Sequence, residues 1–300
     1  MHEKETEILE LLKILLKDNT TQKYIKWVTN DYVQYGTKYM QDQEILPESI
    51  KNYKELIQPR ALKKEEERFK RTKNMAEVFT PSWVCNNQNN LIDNEWFGRK
   101  NVFNIPIKNG WVTNDDKICF SHDKTWQEYV NSRRLEVSCG EAPYLVSRYD
   151  AVTGEFIDVS NRIGLLDRKI RVVNENVDDE KNWFKWIKRA YESIYAYEYQ
   201  GDSLLIARLN LFNTFLENME YKFNHAPRLE QKKVIANIIS WNIWQMDGMT
   251  MTAPYSEGEP LCKQLSLFEE VDTRKVPMFC KIFDWESNCS LEFRSLMNGD

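Results

Sequence analysis

Apolar positions near the start of the chain recur at helical spacing. Ile8, Leu11, Leu12 and Leu15 fall on one stripe, as on an amphipathic helix. The stretches "TQKYIKWVTNDYVQYGTKYM" from Thr21 and "ESIKNYKELI" from Glu48 extend the pattern. The mixed-charge run "RALKKEEERFKRTK" then reads as a solvated helix with a basic end. Residues 1–75 are therefore expected to form an all-helical region. In "FTPSWVCNNQNNLI", Thr80 is placed as N-cap and Pro81 as first helical residue. "NVFNIPIKNGWVTNDDKICF" carries N-G and D-D turn signals between β-prone residues, so a β-like insertion is expected near 100–120.

From residue 134 the pattern alternates. "RRLEVS", "IYAYEY" and "NIWQMD" have strand length and composition. "YLVSRYDAV", "GLLDRKIRVVNENV", "EKNWFKWIKRAYES", "GDSLLIARLNLFNTFLENMEYKF" and "EQKKVIANIISW" read as helices. Such alternation implies right-handed crossovers and a mainly parallel sheet. The fold class is α/β, with residues 76–300 as the second region. The tail "PMFCKIFDWESNCSLEFRSL" reads as two strands around a turn.

Composition adds limits. Ten Trp and 42% hydrophobic residues supply a core. A net charge of −5 excludes a uniformly basic nucleic-acid binder but leaves room for a local patch. The apolar run "EILELLKILLKD" is broken by Glu10 and Lys13 and is far shorter than the ~20 residues of a membrane span. Its polar start does not fit a signal peptide. Six Cys without a C-x-x-C and three His argue against a disulfide scaffold or zinc site and for a reducing cytoplasm.

Candidate chemistry lies at strand ends, where open α/β sheets bind ligands. Glu136 ends the first strand, Gly140 sits in the turn, and Ala142 stands where a second glycine is expected. Alone, one glycine there is an ordinary turn. Glu198 ends the second strand and can accept ribose hydroxyls or cap the next helix. Its distance from Gly140 far exceeds the ~20 residues of a dinucleotide fold, which disfavours a nicotinamide cofactor. Asp247 ends the third strand and can accept from an adenine amine or close a D-G turn.

In combination these pieces resemble the adenine-N6 DNA methyltransferases of bacterial restriction–modification systems. Those enzymes carry "E-V-F-T-P", then "D-P-A-C-G-S-G-x-F-L", then "Y-G-x-E", then a strand ending in Asp. The matching residues are Glu77 to Pro81, Glu136 to Leu145, Tyr197-Glu198 and Asp247, within about residues 70–290. The resemblance implies a partial Rossmann-like methyltransferase domain, S-adenosylmethionine as cofactor and double-stranded DNA as partner. By it, Phe79, Thr80 and Pro81 line the amino-acid pocket. Glu136, Ser138, Cys139, Gly140 and Ala142 form the loop under the methionine end. Glu198 holds the ribose, and Met246 and Asp247 flank the adenine. Val137 replaces a proline and Ala142 a glycine, so the added methyl is expected to weaken the cofactor's approach.

The family's catalytic motif, [D/N/S]-P-P-[Y/F/W], is absent, since no two of the nine prolines are adjacent. The expectation is a truncated chain, or one half of a split enzyme completed by a second polypeptide carrying N-P-P-Y, inactive alone. The "RLEVS" strand is then left at an edge, unless the tail strands cover it. The alternative is a non-catalytic DNA-binding protein using "KKEEERFKRTK", with Lys70, Arg71 and Lys73 on phosphates. Asp158 with Asp167 and Lys169 faintly suggests a nuclease metal site, but the helical pattern there places these groups in solvent or in ion pairs.

Overall fold

The computed structural model describes residues 2–50, 56–75, 79–257 and 277–297. Glu77, Val78 and residues 51–55 of "ESIKNYKELI" lie outside these. The helices are α1 (His2–Leu15), α2 (Glu65–Met75), α3 (Ser82–Phe97), α4 (Trp126–Asn131), α5 (Leu165–Asn176), α6 (Glu180–Glu192), α7 (Gly201–Phe223) and α8 (Leu229–Asn242). None among the described residues is long and apolar enough to cross a membrane.

Among the described residues three small sheets accompany them. β1 (Asn104–Ile107) and β2 (Gly110–Thr113) form the expected antiparallel hairpin, with Asn109 left-handed at φ 56° in its turn. β3 (Arg134–Glu136), β4 (Ile194–Glu198) and β5 (Ile243–Gln245) run parallel in that order. β6 (Lys281–Asp284) and β7 (Cys289–Glu292) form the antiparallel tail hairpin. The chain is a mixed α/β protein with a small parallel sheet.

Strand alternation gives the parallel sheet two different faces. Ile194 and Ala196 of β4 join the helical core with Leu204, Leu211, Ile235 and Ile239. Tyr197 packs the other way, with Trp244, Met246, Cys280, Ile282 and Phe293, against the tail hairpin. That hairpin therefore covers a face of β4 and β5 and leaves β3 as an edge. Arg134 N–H and Cys139 N–H both donate towards the β4 side, to Ser193 and Tyr197 carbonyls. In a parallel ladder the intervening Leu135 then directs its N–H and C=O outward. Leu135 and Val137 are 48% and 58% exposed.

The N-terminal region differs from the all-helical expectation. Among the described residues, the α-helices with described bounds cover 2–15 and 65–75, while 16–50 is irregular, with short 3-10 turns at Val33–Tyr35, Thr37–Tyr39 and Pro47–Ile50. Asp18 ends α1 by accepting from the N–H groups of Thr20 and Thr21, a local bond that competes with helix. Beyond it, Ile25 and Trp27 are buried alternately, not at helical spacing. The Gln245 side-chain amide of β5 accepts from the Lys26 N–H and donates to the Lys26 C=O, each at 2.8 Å, in place of a neighbouring strand. Gly201 permits this approach, because a Cβ there would lie 1.9 Å from the Lys26 carbonyl oxygen. Leu11, Leu12, Leu15, Ile25, Trp27 and Ile45 belong to the same core as α7 and α8.

Two other elements differ. "YLVSRYDAV" is a series of turns, not a helix. Carboxylates take the N–H groups that a helix would use: Glu136 those of Tyr144 and Leu145, Asp167 that of Ser147, Asp150 those of Val152 and Thr153. α3 begins one residue later than expected, with Pro81 as N-cap, and the Ser82 N–H is capped from afar by Asp150 at 2.7 Å. α3 also buries its polar stripe. Asn86, Asn90 and Asp93 hold the buried Arg168 guanidinium, while Leu91 and Ile92 face outward.

Candidate functional site

Beyond the carboxyl ends of β3 and β4 opens a cleft of about 670 Å³. It is lined by the predicted residues Phe79, Thr80, Glu136, Ser138, Cys139, Gly140 and Glu198. The sequence reading missed Asn89, Ile92, Tyr144, Leu165, Tyr199, Gln200 and Ser203, which also line it. For Asn89 a signal existed: "CNNQNN" places amides on the face of α3 that should be apolar.

The loop after β3 is a chain of left-handed turns. Ser138, Gly140 and Ala142 have φ of 51°, 54° and 63°. Each alternation reverses the backbone, so the Ala142 N–H reaches the Cys139 carbonyl at 2.7 Å. Phe79 sits beside Gly140, with the Arg60 guanidinium over its ring at 5.0 Å. Ala142 is fully buried and does not line the cleft. Its methyl therefore does not obstruct a ligand, as the sequence suggested; the cost is backbone strain of about 1 kcal/mol in the left-handed region.

The two strand-end carboxyls are placed differently. Glu198 accepts three backbone N–H bonds, from Gly140 at 2.8 Å, Tyr199 at 2.9 Å and Gln200 at 3.0 Å. It holds the turn that leads into α7 and ties the Gly140 loop to β4. Glu136 accepts only longer bonds, from Tyr144 at 3.4 Å and Leu145 at 3.2 Å. Burial pushes its carboxyl up to about 8, and the neighbouring Glu198 charge adds to this. Burial also raises Glu198, against the lowering effect of its three N–H donors. The Cys139 thiol is pushed well up by burial and by both glutamates, which keeps it an inert neutral group.

Among the described residues the cleft wall has two carboxyls and no Lys, Arg or His. Asn89 adds an acceptor. Its Nδ2 donates to the Tyr144 and Ile163 carbonyls at 3.0 Å each, while its Oδ1 is buried with no hydrogen-bond partner. The cleft wall thus carries carboxyl, hydroxyl and amide groups, and the Arg60 cation stands behind the Phe79 ring.

Other predicted residues are elsewhere. Pro81 lines a separate groove with Trp83, Trp111 and Phe156. Met246 is buried in the tail-hairpin cluster, its sulfur accepting from Trp244 Nε1 at 3.3 Å. Asp247 Oδ1 accepts from Met249 N–H at 2.8 Å and Thr250 N–H at 3.3 Å, the D-G turn geometry. Neither Met246 nor Asp247 lines the cleft.

The basic run does not present its cations together. Arg71 is buried, bonded to Asp202 and Asp31 at 2.8 Å each and to Gln200. Lys63 also reaches Asp202, at 3.4 Å. Of the nuclease candidates, expected in solvent or in ion pairs, Asp158 faces solvent but Asp167 and Lys169 do not. Asp167 is buried and accepts from the N–H groups of Ser147 and Gly164. Lys169 is buried among Val130 O, Ser132 O and Ser193 Oγ, satisfied as a structural cross-link, while Asp158 is exposed. No cluster of three metal-ligating side chains occurs among the described residues. No family model, curated protein or solved structure matches this chain.

Proposed function

We propose that the cleft binds S-adenosylmethionine, and that the chain is the cofactor-binding part of a Rossmann-like DNA adenine-N6 methyltransferase of the restriction–modification type. The observation that carries this is a wall with two carboxyls and no cationic side chain at the carboxyl ends of parallel strands. A pyrophosphate cofactor would meet Glu136 and Glu198 with no cationic side chain in the wall itself. A sulfonium nucleoside with a free ammonium brings positive charge and donors to Glu136, Glu198 and Asn89 Oδ1. At an effective dielectric of 20, one charge pair at 4 Å is worth about 4 kcal/mol, enough to decide between the two classes. The motif resemblance points the same way.

Methyl transfer to a flipped adenine requires a motif that grips the amine and stacks on the base. No N-P-P-Y is present in these 300 residues, so they bind without transferring. The open edge of β3, with Leu135, Val137 and the nearby Ile92 exposed, supports docking of a catalytic segment from a second polypeptide, with double-stranded DNA as the shared substrate. The test is calorimetry of the 300-residue chain with S-adenosylmethionine and with NAD. Saturable binding of the first alone is expected. No S-adenosylmethionine binding at millimolar concentration, preferential NAD binding, or methylation of DNA by this chain alone would overturn the reading.

A further inference from the structure

Glu136 and Glu198 share one cleft wall but not one environment. Glu198 has three N–H donors at 2.8–3.0 Å, which satisfy an ionised carboxylate. Glu136 has two, at 3.4 and 3.2 Å, longer than the usual ~2.9 Å. The titratable groups around Glu136 are Glu198 at the end of β4, Cys139 in its own loop, Cys85 on α3 and Tyr144. None of these is basic, and no cation lines the cleft.

We propose that Glu136 is a proton-exchanging specificity residue, holding a proton while the cleft is empty and releasing it when a cation enters. In the exchange the carboxyl O–H bond breaks, the proton passes to solvent buffer, and the carboxylate pairs with the incoming positive group. Charge in the cleft then stays constant, and an uncharged ligand gains nothing from the exchange. Two carboxyls in one site with environments that separate their titrations commonly divide such roles. Burial of Glu136, which pushes its carboxyl up to about 8, is in accord. The identity of the natural cation rests on the S-adenosylmethionine reading; the exchange itself does not.

Two experiments separate these. In the ligand-free chain, carbon-13 NMR of glutamate carboxyls, with the Glu136 signal assigned by its loss in Glu136→Gln, is expected to show titration near pH 8. Trimethylsulfonium chloride should lower that midpoint, and uncharged dimethyl sulfoxide should not. Titration in the ordinary range near pH 4.5, or equal effects of the two probes, overturns the proposal whatever binds. Calorimetry with S-adenosylmethionine at pH 7, in buffers of different ionisation enthalpy, should show about one proton released per ligand. Its dissociation constant should tighten about twentyfold from pH 6.0 to 7.5, as the ionised form becomes populated. Glu136→Gln should abolish both effects. Binding without proton release overturns the exchange. Absence of binding alongside a Glu136 midpoint near 8 that trimethylsulfonium lowers would sink the cofactor and leave the exchange standing.

Discussion

Replacing Arg71 by Met tests how the N-terminal region is held to the sheet. Asp202 lies in the first turn of α7, and its side chain is fully buried. Its carboxylate is paired with Arg71 at 2.8 Å and Lys63 at 3.4 Å, and accepts from Tyr32 Oη at 2.9 Å and its neighbour Ser203 N–H at 2.9 Å. Arg71→Met keeps the aliphatic stem and removes the guanidinium. Breaking a buried pair costs about 3–5 kcal/mol, because the remaining charge stays desolvated. Lys63, Tyr32 and Ser203 remain in place, so a loss of about 3 kcal/mol is expected, a large share of the 5–15 kcal/mol typical of a domain. Urea unfolding followed by tryptophan fluorescence measures it, with Trp27 reporting locally because its ring lies 4.8 Å from Tyr32. The pair also predicts an acid response. Arg71 and Lys63 hold the Asp202 carboxyl down to about 2, against the raising effect of its burial. Its folded value lies below its unfolded one, so its contribution is present above about pH 4 and lost as pH falls from there through 2. That contribution is roughly 2 kcal/mol, and Arg71→Met should lose less on acidification than the parent chain. A loss under about 1 kcal/mol at pH 7, or identical acid sensitivity in both proteins, would refute the reasoning.

Gly201→Ala should cost well over 2 kcal/mol, since its Cβ would lie 1.9 Å from a backbone carbonyl that cannot swing aside; urea midpoints check this, and a neutral result would mean residues 25–27 are not packed there. Val137→Lys, at an exposed edge position, should change stability by no more than about 0.5 kcal/mol. A larger loss by the same assay would show that the β3 edge is already covered.

The alternation of strand and helix from residue 134 was legible because short β-rich runs and long periodic runs differ in length as well as pattern. β3, β4, β5 and the tail hairpin fall where the sequence places them. Residues 16–50 were misread for a physical reason. Their apolar residues are frequent enough to satisfy helical spacing loosely, yet Ile25 and Trp27 are buried as alternating positions of an extended segment, with the Gln245 side-chain amide bonding the Lys26 backbone between them. No local pattern in 16–50 announces a hydrogen-bonding partner more than 200 residues away. The turns after Gly140 have a similar origin. Helix propensity in "YLVSRYDAV" yields to three acidic side chains that capture backbone N–H groups, and two of these, Glu136 and Asp167, come from other segments.

At the site, sequence located the carboxyls but not their division of labour. Residue identity alone makes Glu136 and Glu198 equivalent. Position separates them: Glu198 stands where the N–H groups of Gly140 and of Tyr199 and Gln200, just before α7, converge, and Glu136 stands where two turn amides are only partly within reach. Asn89 belongs to no family motif, and its one signal is the amide run of a helix whose buried face is polar, a choice explained by the Arg168 guanidinium packed against that face at Asn86, Asn90 and Asp93. The same inversion sends Ile92 outward to the rim of the cleft. Thus one buried arginine, remote from the ligand space, accounts for both an unexpected acceptor in the wall and an unexpected apolar rim. A change at Arg168 should therefore disturb cleft and rim together, whereas a change at Glu198 should disturb the loop and the start of α7 and leave the rim in place.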